Sequence, residues 1–151
     1  MNALKSDAPV ADAPVADAPV TDSALSPAWA RVQLALLALA VDPAGLGGLW
    51  LRARVGPVRE AVIAGLAAVP LPVRRLHPGL GDEALFGGLD LTATLAEGRQ
   101  VRTEGILARP SLLLLTMAER CPPGLAARLA QALDRPRHAL VALDEGAEAE
   151  E

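Results

Sequence analysis

A segment between a short apolar stretch and a helix-forming stretch stands where nucleotide-binding proteins carry a phosphate-binding loop. In such loops, backbone N–H groups at the start of the helix hold the phosphates, and the pattern is Gly, four residues, Gly, Lys and then Ser or Thr. Four of these places carry other residues here, namely Ala53, Val58, Arg59 and Glu60, and only Gly56 inside the loop is a glycine. The Glu60 carboxylate repels phosphate and supplies no hydroxyl for magnesium, so we expect no ATP hydrolysis at this site.

Arg59 stands in the place of the loop lysine and has two interpretations. In the first, it is a solvent-exposed arginine on an ordinary helix, whose start is favoured by Pro57 and by Glu60 in the first turn. In the second, its guanidinium and the nearby N–H groups still hold a phosphate or a partner's carboxylate. The remnant of a nucleotide site then consists of Gly56 and Arg59, and the sequence leaves both interpretations open.

The second half of an ATPase site is an acidic pair after a buried strand, where one acid holds magnesium and the other activates water. The apolar run 112–115 predicts such a strand. Thr116 and Met117 occupy the two acidic places, and neither side chain can do that chemistry. Glu119 lies two residues further on, from where we expect it to point away from the position that the catalytic acid would need. Two motifs thus keep their places in the chain while lacking their functional groups.

The elements that position these residues alternate between strands and helices. Helices are predicted over 27–41, 57–68, 82–86, 90–97 and 123–133, strands over 49–54, 73–76, 111–116 and 139–143, and a projecting loop or hairpin over 99–106. Ser26 as N-cap and Pro27 at the first helical position open the first helix. This alternation predicts an α/β fold in which helices cover both faces of a parallel sheet.

Composition divides the chain into three parts. Residues 1–25 repeat the unit Asp-Ala-Pro-Val-Ala, and proline at every fifth position rules out regular helix or sheet, so we expect a disordered N-terminal arm. Residues 26–143 form the expected α/β core. Residues 144–151 hold five acids and no base, and form an acidic tail at the end of the fragment.

Charge and composition exclude several function classes. The chain has a net charge of -4, yet residues 26–143 hold 13 Arg against nine acids. With three aromatic residues there is too little material for base stacking, so we expect the arginines to meet phosphates, carboxylates or a partner protein rather than nucleic acid. One Cys and two His predict no internal disulfide and no metal site. No apolar run approaches the roughly 20 residues of a membrane span, and the start lacks an apolar signal segment, so a cytoplasmic location is expected.

Residues 76–108 carry a pattern that resembles a known family. The run Leu76-His-Pro-Gly-Leu-Gly-Asp-Glu-Ala-Leu-Phe-Gly-Gly-Leu-Asp-Leu-Thr-Ala-Thr-Leu-Ala-Glu-Gly98 is similar to the chelatase pattern Leu-Pro-Leu-Gly-Ala-Thr-Glu-Asp-Arg, followed by Gly-x-Leu-Asp and Ala-Leu-x-x-Gly. Gly105-Ile-Leu-Ala108 is similar to the Pro-Gly-Leu-Leu-Ala segment before the family's acidic strand. The stretch 29–143 thus resembles the N-terminal AAA+ domain of the D-type component of magnesium chelatase, and its lost motif residues separate it from the I-type component, which is the active ATPase.

The resemblance implies a three-layer P-loop NTPase core of the AAA+ type, degenerate and truncated before the family's helical lid and C-terminal integrin-like domain. It implies a non-hydrolysing scaffold that joins a hetero-oligomeric ring with the I-type component, hereafter the ATPase component, and works with the porphyrin-binding H-type component. The complex, a ligase, uses ATP to insert Mg²⁺ into protoporphyrin IX. ATP and Mg²⁺ are therefore expected in the complex, and no cofactor is expected on this chain.

Two further pairs of arginines are candidates for contacts with a partner. Arg135 and Arg137 precede the last predicted strand, where the resemblance implies an arginine that reaches the ATP site of a neighbouring protomer in the ring. The alternative is that both only offset the dipole at a helix C-terminus. Arg99 and Arg102 lie in the predicted projecting loop, which is either an interface with another component of the complex or a solvated loop.

Two other function classes fit part of the sequence. One is an active ATPase or chaperone of the MoxR type, against which the residues of the degenerate loop argue. The other is a pure interaction domain, for instance in a MoxR-like complex unrelated to porphyrin. In such a domain the strands and helices around the former nucleotide site are kept only because they pack together. Tight magnesium-dependent ATP binding would favour the first class, and the absence of binding to the ATPase component would favour the second.

Overall fold

The computed structural model describes residues 26–146, so the expected arm at 1–25 and the last five residues of the expected tail lie outside the described part. The described helices are α1 (Pro27–Val41), α2 (Pro43–Leu46), α3 (Pro57–Gly65), α4 (Asp82–Phe86), α5 (Leu91–Glu97) and α6 (Pro123–Leu133). The described strands are β1 (Gly48–Arg52), β2 (Val73–Leu76), β3 (Ser111–Leu115) and β4 (His138–Asp144). Short 3-10 turns follow α3 and precede and follow β3.

The four strands form one parallel sheet with the order β1-β4-β3-β2. Strand β4 lies between β1 and β3, with Leu140 opposite Gly48 on one side and opposite Leu113 on the other. Because all strands run in the same direction, their carboxyl ends meet at a single edge of the sheet, where ligands bind in open α/β folds. This edge holds the two degenerate motifs, namely the turn between β1 and α3 and the residues that follow β3.

Helices cover both faces of the sheet, and β3 shows this most directly. All five residues of β3 are buried, and alternate side chains enter two separate apolar clusters. Leu112 and Leu114 pack with Leu39 of α1, whereas Leu113 and Leu115 pack with Leu129 of α6. The predicted three-layer α/β architecture is therefore confirmed.

Short polar side chains set the helix starts. Ser26 Oγ accepts a hydrogen bond from the Trp29 N–H at 3.2 Å, and Asp42 Oδ1 accepts one from the Gly45 N–H at 2.8 Å. Each bond satisfies an N–H group that has no partner inside the helix. The predicted start of α1 at Ser26 and its end before Asp42 both agree with the structure.

Several boundaries differ from the expected ones by one to three residues. Helix α3 ends at Gly65 and continues only as a 3-10 turn over 66–68, and β1 ends at Arg52, two residues early. Strand β4 extends to Asp144, which the expected division had placed in the tail.

The segment expected to project at 99–106 is tied down at its C-terminal half. Arg102 forms an isolated antiparallel bridge with Leu89, and the Thr103 N–H donates to the Gly88 carbonyl oxygen at 2.9 Å. Gly105 lies so close to the end of α4 that a Cβ would come within 2.3 Å of the Leu85 carbonyl oxygen. Only the turn at the start of this segment extends from the domain. Within residues 26–146 no helix is long and apolar enough to cross a membrane.

Candidate nucleotide-site remnant

The turn between β1 and α3 contains a glycine in an unusual backbone conformation. Gly56 has a φ of 157°, a backbone conformation that residues with a side chain rarely adopt, although a Cβ there would meet no neighbour within 4 Å. The carbonyl oxygen of Gly56 accepts the Glu60 N–H at 3.0 Å, and Pro57 occupies the first helical position. Conformation rather than space therefore requires glycine here.

Arg59 is buried at the carboxyl edge of the sheet. Its side chain is 10% exposed, and its Nη1 lies 2.5 Å from Oε1 of Glu145, whose side chain is 29% exposed. The solvent-exposed interpretation of Arg59 is therefore wrong. The guanidinium holds an anion, as the other interpretation expected, but the carboxylate comes from the same chain.

Glu145 follows directly after β4 and is itself held in place. Its backbone N–H donates to Oε2 of Glu119 at 3.2 Å, and the Gly146 N–H donates to Oδ1 of Asp144 at 2.7 Å. Glu119 thus acts as an acceptor for the backbone of Glu145, and whether it points away from the acidic place of an ATPase stays a prediction. Met117 adopts a left-handed conformation with φ of 52° directly after β3, which turns the chain so that the Glu119 side chain returns to the sheet edge.

The other residues at the degenerate motif positions bond to the backbone of neighbouring strands or lie exposed at the surface. The N–H and Oγ1 of Thr116 both donate to the Leu76 carbonyl oxygen, at 3.1 Å and 3.2 Å, and so join the end of β3 to the end of β2. The Ala53 N–H donates to the Asp144 carbonyl oxygen at 2.9 Å, while Val58 is exposed. These residues supply no group for phosphate or magnesium.

The side chains at this edge do not fit a magnesium–nucleotide complex. The guanidinium in the lysine position is paired with Glu145, and Glu60 brings a further carboxylate into the first turn of α3. Among residues 26–146, no group of three or more His, Cys, Asp or Glu side chains could hold a metal ion.

The two candidate trans-acting arginines meet at the opposite edge of the sheet. Here a cavity of about 260 Å³ lies between α6 and the start of β4. Its lining residues include Phe86, Arg128, Gln131, Arg135, Arg137 and His138, and we call it the arginine cavity.

The guanidinium groups of the arginine cavity differ in their contacts. Arg137 Nη2 donates to the Ala108 carbonyl oxygen at 3.0 Å, and Arg128 Nη2 donates to Asp82 Oδ2 at 2.8 Å. The Arg135 side chain is exposed, and its guanidinium has no hydrogen bond or ion pair within the described part of the chain. Of the two candidates, Arg137 has a structural contact and Arg135 is available to a partner.

A buried histidine lies beside this cavity. His138 Nδ1 is 3.3 Å from Ser111 Oγ, and both residues are buried. Burial lowers the pKa of His138, and the nearby charge of Arg137 lowers it further. On the same side of the sheet, burial raises the pKa of the Cys121 thiol. The neutral His138 is a packed core residue that bonds to the neighbouring strand.

Arg99 and Arg102 lie apart from both sheet edges. Arg99 Nη2 forms an exposed ion pair with Oε2 of Glu97 at 2.5 Å. The Arg102 side chain is exposed while its backbone pairs with Leu89. Both guanidinium groups therefore lie on the surface, where a partner could meet them.

The parallel sheet with helices on both faces and a glycine turn before α3 defines a three-layer α/β fold. No family profile matches the chain. The chain is 63% identical over 123 residues to the magnesium-chelatase 60 kDa subunit of Cereibacter sphaeroides, a match that covers 82% of this chain. It is 55% identical over 123 residues to the protein of the same name from Rhodobacter capsulatus, covering 80% of this chain.

Over this matched region, the chain belongs to the magnesium-chelatase 60 kDa subunit family, which confirms the resemblance to the D-type component. It spans 22% of the length of each of these two relatives. A solved structure agrees in fold, namely a model of the complex between subunits BchI and BchD of magnesium chelatase based on a cryo-EM reconstruction. That match has a TM-score of 0.60 and 20% identity, and covers 79% of this chain and 53% of the other.

Glu145 and its contact with Glu119 were not expected from the sequence. One sequence signal could have indicated Glu145. An apolar strand followed by Asp144 and Glu145 places acids at the carboxyl edge of a parallel sheet. No sequence signal indicated that Glu119 contacts the Glu145 N–H, because the left-handed turn before Glu119 is made by Met117 rather than by a glycine.

Proposed function

We propose that this chain is a non-hydrolysing AAA+ scaffold of magnesium chelatase, which assembles with the ATPase component during the ATP-dependent insertion of Mg²⁺ into protoporphyrin IX. The observation that carries this proposal is the combination of high identity to magnesium-chelatase 60 kDa subunits with a nucleotide site whose arginine is paired internally. The names of the relatives favour this role over the MoxR-like alternative.

The proposed partners are the ATPase component and the porphyrin-binding component. The structural neighbour belongs to a complex between two chelatase proteins, which supports assembly with the ATPase component. In this proposal ATP and Mg²⁺ are used by the complex, this chain binds no cofactor, and it contributes to a ligase without turnover of its own. The expected cytoplasmic location stays a prediction.

An exposed apolar stripe supports a role in assembly. Leu34, Leu37 and Val41 lie on one face of α1 and are 65%, 62% and 85% exposed. Trp50, on the adjoining strand β1, is also exposed. Large apolar side chains grouped at a surface are typical of protein–protein interfaces. We therefore assign this stripe to a contact with the ATPase component.

Size-exclusion chromatography of the chain mixed with the ATPase component and ATP tests the proposal. The two proteins are expected to elute together, and Leu37→Glu is expected to weaken this association because it places a charge in the apolar contact. Leu91→Glu, the same substitution at a leucine of α5 that is 65% exposed, is the matched control. Separate elution of the wild-type chain at micromolar concentration would contradict the scaffold role.

Arg135 is the proposed contribution of this chain to chemistry in a neighbouring protomer. The support is that the Arg135 guanidinium is exposed at the arginine cavity without a side-chain partner within residues 26–146, whereas Arg137 is bonded to Ala108. A free guanidinium at an interface can stabilise charge on a transferring phosphoryl group. The chain would then complete the ATP site of an adjacent ATPase component while its own site stays inactive.

A further inference from the structure

The internal pairing of Arg59 has a specific position in the fold. Arg59 lies in the first turn of α3, where the helix presents unpaired backbone N–H groups and the positive end of its dipole. Its side chain is nine-tenths buried, so a counter-charge is needed to offset the cost of removing the guanidinium from water. Glu145 Oε1, at 2.5 Å from Nη1, supplies that charge.

We propose that Glu145 is a built-in anion that closes the nucleotide-site remnant, with its carboxylate at the place on Arg59 where a phosphate group would otherwise bind. The contact is autoinhibitory, because a phosphate-bearing ligand must displace the carboxylate before it can reach the guanidinium. Both groups belong to this chain. The closure therefore holds or fails whether or not the chain assembles with the ATPase component.

The closure of the nucleotide-site remnant depends on where the segment after β4 holds Glu145. Glu145 is the first residue after β4, on the segment by which the chain leaves the sheet. Two further contacts hold this segment, the Glu145 N–H to Glu119 and the Gly146 N–H to Asp144. A shift of Glu145 by a few ångströms would withdraw the carboxylate and leave Arg59 open to an anion. The expected ligand class is a diphosphate group bound without a catalytic metal, since the two residues after β3 supply no carboxylate.

Isothermal titration of the 151-residue chain with inorganic pyrophosphate and with ADP, in low-salt buffer without divalent cations, tests this closure. Glu145→Gln removes the carboxylate charge while keeping the size of the side chain. This variant is expected to bind pyrophosphate at least about tenfold more tightly than the wild type. The double variant Arg59→Ala/Glu145→Gln is expected to lose this binding. Glu104→Gln, which removes the acid of the exposed pair with Arg109, is the matched control and should behave as the wild type.

Equal pyrophosphate affinities of the wild type and a folded Glu145→Gln variant would overturn the proposal, and so would pyrophosphate binding that persists in the double variant. Equal affinities of Glu145→Gln for ADP and pyrophosphate would support recognition of the diphosphate alone. Circular dichroism establishes that each variant is folded. If Glu145→Gln is unfolded at 25 °C, Glu145→Asp replaces it, because the shorter carboxylate reaches Arg59 less well, and its affinity should exceed that of the wild type.

Discussion

Arg59 and Glu145 are 86 positions apart in the chain and form an ion pair at the carboxyl edge of the sheet, with Nη1 and Oε1 2.5 Å apart. The pair joins the first turn of α3 to the end of β4. It therefore links the residue in the lysine place of a phosphate loop to the segment that leaves the core.

We predict that loss of Glu145 destabilises the chain. Glu145→Ala leaves a mostly buried guanidinium without its counter-charge, and the partial exposure of Glu145 keeps the expected loss of unfolding free energy at about 1–3 kcal/mol. Urea denaturation followed by circular dichroism measures this value. Glu104→Ala, from an exposed pair, should cost at most about 1 kcal/mol. Equal losses in the two variants would contradict the assigned burial of Arg59.

The second prediction concerns ATP hydrolysis. The chain alone should release no phosphate from ATP above background, since both the phosphate side and the magnesium side of the site lack their groups. Restoring one group, with Glu60→Ser or with Thr116→Asp, should recover little, because the motifs act as a unit. A phosphate-release assay measures the turnover. Activity above background that Arg59→Ala abolishes would argue against this interpretation.

Substitutions of Arg135 and Arg137, the two candidate arginines of the arginine cavity, should have different effects. In a mixture with the ATPase component, Arg135→Ala is expected to lower ATP turnover by about tenfold or more while the complex still assembles. Arg137→Ala removes the bond to the Ala108 carbonyl oxygen and should instead lower the unfolding free energy by about 0.5–1.5 kcal/mol. ATPase assays and thermal unfolding measure the two effects. Wild-type turnover with both variants would remove the trans-acting role.

A fourth prediction concerns the surface loop. The double charge reversal Arg99→Glu/Arg102→Glu should weaken assembly with the ATPase component without lowering the melting temperature, since both guanidinium groups are exposed. Co-elution and differential scanning fluorimetry measure the two properties. Arg109→Glu, at another exposed ion pair, is a matched control. Unchanged assembly of the double variant would identify the segment as a solvated loop.

His138 predicts a pH dependence of stability. Its pKa in the folded chain is lowered by burial and by Arg137, so the unfolded chain binds the proton more readily. The stability contributed by neutral His138 is therefore fully present above the unfolded pKa of about 6.5 and is lost as the pH falls through the folded pKa. Urea denaturation at about pH 7.5 and about pH 5.5, on either side of that unfolded pKa, should show a smaller loss of stability in His138→Leu than in the wild type. An equal loss in both chains would rule out His138 as the cause.

Local signals in the sequence predicted most of the fold. Ser26 and Pro27 marked the start of α1, and the apolar run before Thr116 marked a strand buried on both faces, because these features depend on neighbours along the chain. The pairing of Arg59 with Glu145 could not be predicted in this way, since it depends on which strands become neighbours in the sheet. The same limit applies to Arg135 and Arg137, which look alike in sequence and differ in whether the Ala108 carbonyl oxygen lies within reach.

The position of β4 determines when the domain can fold during synthesis. Strand β1 has its only sheet neighbour in β4, which is the last strand of the described chain to leave the ribosome. Until then β1 has no hydrogen-bonding partner in the sheet, and β3 keeps an open apolar edge on the side that β4 will fill. Such long-range pairing forms slowly and leaves nascent edges open to association with other chains. The strand that the closing glutamate follows is thus also the strand on which the pairing of β1 waits.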